Sequence, residues 1–196
     1  MSPLLGGYEV NGELLAAPFV LGGVICILAG LRAVRHHDAV EWSVAAGASA
    51  VSAVLIKQNL ADAAVFGFVA LIVAVWRGEL SRRRFWTMAA GAVGGAATVI
   101  SVLALWTVVH GTSLVEVFDA MYPFRLRAEA VQAAGGRAHS SVRLHELLIA
   151  VAASGLAFVL LALIHYVVAR RRHDTSFLAL VAMTVFAGIS VLLGGN

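Results

Sequence analysis

Residues 82–109 read RRRFWTMAAGAVGGAATVISVLALWTVV: three arginines, one phenylalanine, then a run from Trp86 to Val109 without a single charge. An α-helix needs roughly twenty consecutive apolar residues to cross the hydrocarbon core of a bilayer. A helix half-buried on a soluble core would carry a polar face at helical period, and this run has none. Similar windows occur at about 14–34, 40–56, 60–76, 144–169 and 177–194,. The sequence therefore predicts an all-α membrane protein of about six transmembrane helices, forming a single transmembrane domain over residues 1–196. The second and third windows stand at the short limit of about 17 residues, which favours steep helices or span ends drawn into the bilayer.

Composition agrees. Of the 196 residues, 61% are hydrophobic and 13% charged, with a mean hydropathy of +0.91. The sequence pI of 9.6 raises the question of nucleic acid. The basic residues, however, fall in short clusters between apolar runs, not along a face interleaved with aromatics, so no nucleic-acid partner is expected. The single Cys26 lies inside an apolar run, where it has no intrachain disulfide partner and packs as a small hydrophobe,. Gly91 and Gly95 make a small-xxx-small pair, which is read as a helix-packing surface.

The clusters orient the chain. Nine of the fourteen Lys and Arg residues are Arg32, Arg35, Arg77, Arg82, Arg83, Arg84, Arg170, Arg171 and Arg172. All nine lie in the loops after the first, third and fifth windows. Dense basic clusters beside span ends stay in the cytoplasm, so both termini are expected outside. The opening MSPLLGGYEVNGELL has neither a basic n-region nor a small-residue cleavage site after a short apolar stretch, and so does not read as a signal peptide,. The chain closes on LLGGN, with no tail after the last window. Together these ends predict an interior piece of a longer polytopic protein.

On this topology the remaining polar residues collect on the outer face. They include Glu9, Asn11 and Glu13, the stretch VLIKQNLAD at 54–62, and the loop from His110 to Arg143. In VLIKQNLAD, Asn59 is expected to cap the third span with Asp62 three residues on, as in a capping box, and Lys57 to sit at the end of the second span. Gln58 has no capping role. In the long loop, Ser113 and Glu116 have capping-box spacing ahead of Leu114, Val117, Phe118 and Met121, a helix that Pro123 ends. FRLRAEAVQAAGG at 124–136 reads as a second short helix closed by Gly135 and Gly136,. Both suit the membrane interface, and Arg125 and Arg127 offer forked donors for a lipid phosphate as well as for ordinary headgroups.

Known catalytic signatures are missing: the chain has no P-loop, GxSxG, HExxH or CxxC pair,. His139, His145 and Glu146 match no metal-site spacing and are read as a loop histidine and a helix start. His36 and His37 are expected in a solvated cytoplasmic turn, and His165 with Tyr166 near the cytoplasmic boundary of the fifth span.

Three stretches carry a resemblance. SPLLGGYEVNGELLAAPFV at 2–20, IKQNLADAAVF at 56–66 and the terminal LLGGN resemble outer segments of family 39 type membrane glycosyltransferases, which are related to protein mannosyltransferases and aminoarabinose lipid A transferases. The resemblance implies transfer of a sugar from a polyprenyl-phosphate donor to an acceptor outside the membrane, with membrane lipids as the other partners. It implies that Glu13 stands at an acidic position that orients the acceptor or binds a divalent metal. It further implies that Lys57 and Gln58 meet the donor phosphate, with Arg125 and Arg127 as alternatives at the same depth. Members also carry an essential acid in an earlier outer loop, for which this chain has no counterpart, so the chain by itself is expected to be inactive. Two other classes compete: a transporter or lipid-handling protein, which would show buried charges within spans and broken helices, and a non-catalytic membrane subunit.

Overall fold

The computed structural model describes residues 12–57, 60–121 and 174–192, with the single positions Pro123, Arg127, His165 and Ala169; at 13, 191 and 192 only the backbone is described. Among them are six α-helices and no strand: α1 (Gly12–Arg32), α2 (His36–Ile56), α3 (Asp62–Trp76), α4 (Arg82–Val109), α5 (Leu114–Met121) and α6 (Thr175–Leu192). Three are long and apolar enough to cross a membrane, over Leu14–Arg32, His36–Ile56 and Arg82–Val109. The apolar helices Asp62–Trp76 and Thr175–Ser190 are shorter. The expected window at 144–169 and the helix at 124–136 lie outside the described residues.

Residues fall into two compact units, the first reaching to Val102 and resuming with α6, the second starting at Leu103. In the first, α1 and α2 form an antiparallel hairpin. Gly12 approaches Lys57, Gly22 approaches Ser49, and Gly30 approaches Trp42 and Ala39. α3 runs parallel to α1, with Gly23 against Ala63 and Gly67 against Ile27, and α6 packs chiefly on α3. Ile27, Ala46, Phe66, Ala70 and Ala179 form one buried cluster; Ala39, Leu71, Ala74, Leu80 and Met88 form another.

Lipid tails are as apolar as leucine, so close approach of backbones over small residues has to supply much of the association between such helices. The crossing of α2 and α4 is the clearest case. A Cβ added to Gly47 would land on the backbone of Ala92, and one added to Gly95 on the backbone of Val44. At Gly91 the same Cβ would stand 3.2 Å from the Val40 carbonyl oxygen. The pair read as packing residues, Gly91 and Gly95, does pack, and Gly47 on α2 completes the contact.

Helix ends follow local chemistry. α3 ends with Gly78 at φ 73°; its N–H donates to the Val75 carbonyl and that of Glu79 to the Ala74 carbonyl, the paired bonds of a Schellman motif,. α4 ends the same way, with Gly111 at φ 76° and bonds to Val108 and Thr107. α6 is capped by Asp174, whose carboxylate accepts the Ser176 N–H at 2.9 Å,. Beside it the Thr175 hydroxyl donates to Glu79 at 2.7 Å, tying the start of α6 to the turn between α3 and α4. At the opposite side of that turn Arg84 donates to the carbonyls of Gly30 (3.0 Å) and Ala33, satisfying the C-terminal end of α1,.

One expectation is corrected here. His36 and His37 open α2 instead of lying in the turn, which is only residues 33–35. Asp38 explains the earlier start, because a carboxylate in the first turn favours helix there, and His37 Nε2 lies 2.7 Å from its Oδ1,.

In the second unit, α5 begins with the expected reciprocal cap. Glu116 accepts the Ser113 N–H and the Ser113 hydroxyl accepts the Val115 N–H, both at 3.3 Å,. The helix is described over Leu114–Met121, and Pro123, expected to end it, is itself in helical conformation.

Candidate functional site

The stretch VLIKQNLAD spans a change of depth. Lys57 closes α2 in extended backbone, its N–H bonded to the Ala53 carbonyl, and its Cβ lies 3.9 Å from where a Cβ on Gly12 would stand. Lys57 and the first turn of α1 therefore share one end of the first unit. Glu13 is the second residue of α1 and so belongs to that end by backbone position; its side chain is outside the described residues. Gln58 and Arg125 are also outside them.

From this rim the chain descends. Ala63 sits against Gly23, eleven residues into α1, which at 1.5 Å per residue is about 16 Å below Gly12,. α3 thus starts near the middle of α1 and α2. The capping reading is corrected accordingly: the N-cap position of α3 is Ala61, without a side-chain cap bond, and Asn59 precedes it by two residues. Asp62, expected at the surface in the first turn of a full span, is 7% exposed, and its Oδ1 has no hydrogen-bond partner. A buried carboxylate oxygen without a partner is costly. The acid was present in the sequence, but its depth depends on how Ala63 packs on Gly23, a register that hydropathy does not report.

Below the rim, an open apolar groove of about 370 Å³ runs between α2, α3 and α4. Ala46, Ala50 and Val54 of α2 form one wall, Ala64 and Phe68 of α3 another, and Ala92 of α4 the floor. Residues 46, 50 and 54 repeat every four positions along one face of α2. Lys57 follows Val54 by three residues, just past the end of α2 at Ile56, and does not itself line the groove.

Arg127 has a different setting. In the second unit its guanidinium forms two 3.1 Å bonds to the Asp119 carboxylate, and its Nε donates to the Pro123 carbonyl at 3.2 Å. Its fork is thus already matched to a carboxylate, at an exposed position. Of the sequence-derived set, Lys57 is brought together with the Glu13 end of α1 in the first unit, while Arg127 lies in the second. Among the described residues no group of three His, Cys, Asp or Glu side chains is arranged to hold a metal ion; His139, His145 and Glu146 lie outside them. Comparison with known proteins found no matching family model, no matching curated protein and no matching solved structure.

Proposed function

We propose that this chain is part of an integral-membrane glycosyltransferase that takes a sugar from a polyprenyl-phosphate donor and delivers it on the outer face of the membrane. The observation that carries the reading is the apolar groove between α2, α3 and α4, with Lys57 just past the end of α2. A long isoprenoid tail needs an apolar channel within the bilayer, and its phosphate needs a cation where that channel reaches the headgroup level. Ala46, Ala50 and Val54 line the groove from α2, and Lys57 follows at the end of that helix.

In the chemistry that follows, Lys57 with Gln58 holds the phosphate as negative charge grows on the departing oxygen. Glu13, at the same rim, orients the acceptor or holds a divalent metal. Arg125 and Arg127 are the alternative phosphate contacts, and Arg127 would first have to leave Asp119. Six spans with the fifth at 144–169, cytoplasmic arginine loops and both ends of the segment outside in a plasma membrane complete the proposal. In its favour, Arg32, Arg82, Arg83 and Arg84 lie at the opposite end of the helices from Lys57, as the positive-inside bias requires,.

The test is binding of a photoreactive polyprenyl phosphate to the purified protein in nanodiscs, together with sugar transfer in membranes that contain it. Lys57→Gln should cut crosslinking and transfer at least tenfold, and Ala50→Phe, which fills the groove, should compete in the same way. Unchanged crosslinking in both variants would eliminate the site.

A second reading is favoured by Asp62. A buried acid at the start of a short helix that begins at mid-depth is a feature of transporters and lipid-handling proteins, whose broken helices put polar ends near the midplane. That reading predicts Asp62-dependent movement of substrate across the membrane without any sugar transfer.

A further inference from the structure

At the opposite end of the first unit lies a second polar cleft, and we infer that it binds a phosphate-bearing anion, either an acidic lipid headgroup or free phosphate. The cleft has a volume of about 420 Å³ and is lined by His36, Ser81, Arg83 and Arg84. All four side chains can donate hydrogen bonds, and no carboxylate lines it,. Such a composition rejects cations and apolar groups and suits oxyanions.

Arg84 gives the site its rigidity. The carbonyls of Gly30 and Ala33 hold one end of its guanidinium, so the side chain is already fixed before any ligand arrives. Its Nε is buried yet has no hydrogen-bond partner, an unmet donor that a phosphate oxygen would satisfy,. Arg83, its neighbour in the first turn of α4, is exposed and adds a second fork. Ser81 caps α4 by accepting the Arg84 N–H at 3.3 Å, which holds its hydroxyl at the cleft.

The backbone field acts in the same direction. The cleft lies where α2 and α4 both begin, with His36 as the first residue of one and Ser81 directly ahead of the other. Helix starts carry partial positive charge, and α2 has no side-chain cap hydrogen bond at Arg35,. The nearest acid on α2, Asp38, is in contact with His37. Basic pockets between helices at a membrane boundary recognise lipid phosphates by this combination of fixed fork, second cation and helix ends. The proposal is independent of the function assigned to the Lys57 rim.

Native mass spectrometry of the detergent-purified protein, titrated separately with phosphatidylglycerol, phosphatidylcholine and inorganic phosphate, tests it. Phosphatidylglycerol should bind at least tenfold more tightly than phosphatidylcholine. Arg83→Gln should remove most of that preference, while Arg82→Gln, on a side chain that does not line the cleft, should keep it at an unchanged melting temperature. If millimolar inorganic phosphate displaces the lipid in an Arg83-dependent manner, the ligand is the free anion; if it does not, the ligand is the headgroup of the lipid. Equal binding of the two lipids together with no Arg83-dependent phosphate binding would overturn the inference, as would an Arg82→Gln effect as large as that of Arg83→Gln. Arg84→Lys checks the fork itself: a lysine can still reach the α1 carbonyls but lacks Nε, so lipid preference should fall while thermal stability is largely retained.

Discussion

Gly94 and Gly95 are neighbours in α4, and they separate helix propensity from helix contact. A Cβ on Gly94 meets nothing within 4 Å, whereas one on Gly95 would overlap the Val44 carbonyl. Each Gly→Ala change gains about 1 kcal/mol of intrinsic helix preference, so this contribution cancels in the comparison. What remains is the crossing with α2. Contacts under 3.0 Å are essentially unknown for real Cβ atoms, so the Gly95 variant forces the two helices apart by about an ångström or more. Overpacking of this kind costs roughly 1–3 kcal/mol. Gly95→Ala should therefore be less stable than Gly94→Ala by about that amount, measured as the difference in unfolding free energy in mixed micelles titrated with SDS.

Gly47 extends the test. Its Cβ would meet Ala92 across the same crossing, so Gly47→Ala should resemble Gly95→Ala. Once one substitution has parted the helices, the second has less contact left to lose, and the double variant should cost less than the sum of the singles. Equal stabilities for the Gly94 and Gly95 variants would refute the close crossing. Strict additivity would show that the two glycines do not share it.

Three further outcomes follow from particular bonds. Arg84→Ala removes the charged donor from the Gly30 and Ala33 carbonyls and should cost roughly 1.5–3 kcal/mol in the same unfolding assay, the range for hydrogen bonds to charged groups,. Asp62→Asn keeps the shape but removes the buried carboxylate, so stability should hold or rise while the Asp62-dependent transport of the second reading falls; a loss of more than about 1 kcal/mol would mean that the carboxylate is held by a partner after all,. Arg127→Gln breaks an exposed pair and should change stability by less than about 1 kcal/mol,. If Arg127 also serves a phosphate, Asp119→Asn should raise lipid crosslinking by releasing its guanidinium.

Hydropathy was enough to locate the helices because each is apolar over most of its length. The expected windows 14–34 and 86–109 fall on Gly12–Arg32 and Arg82–Val109, and 60–76 on Asp62–Trp76. The cap of α5 was legible for a similar reason, since Ser113 and Glu116 interact within one turn. Contacts between distant positions were not. Arg84 reaches Gly30 across 54 residues, and the Thr175 to Glu79 bond spans 96. Arg127 pairs with Asp119 eight residues back, a spacing that no capping or helix-face pattern announces. The depth of Asp62 is of this kind too, set by two small residues, Gly23 and Ala63, whose meeting leaves no periodic trace in the sequence.

The polar residues of the first unit divide by whether the fold already employs them. Asp174 caps α6, Thr175 and Glu79 join a helix start to a turn, Ser81 caps α4, and the terminal nitrogen of Arg84 closes α1. Two buried side-chain atoms among the described residues have no such employment: Arg84 Nε and Asp62 Oδ1. They lie beside different features, one at the cleft formed by the starts of α2 and α4, the other on the segment descending from Lys57 beside the apolar groove. The first needs an acceptor and the second a donor or a cation, so a single ligand type cannot serve both. Had both atoms been accidents of packing, replacing the Arg84 guanidinium by an ammonium or the Asp62 carboxylate by an amide would leave ligand binding untouched; the Arg84→Lys and Asp62→Asn variants should instead alter two separate binding properties, each without affecting the other.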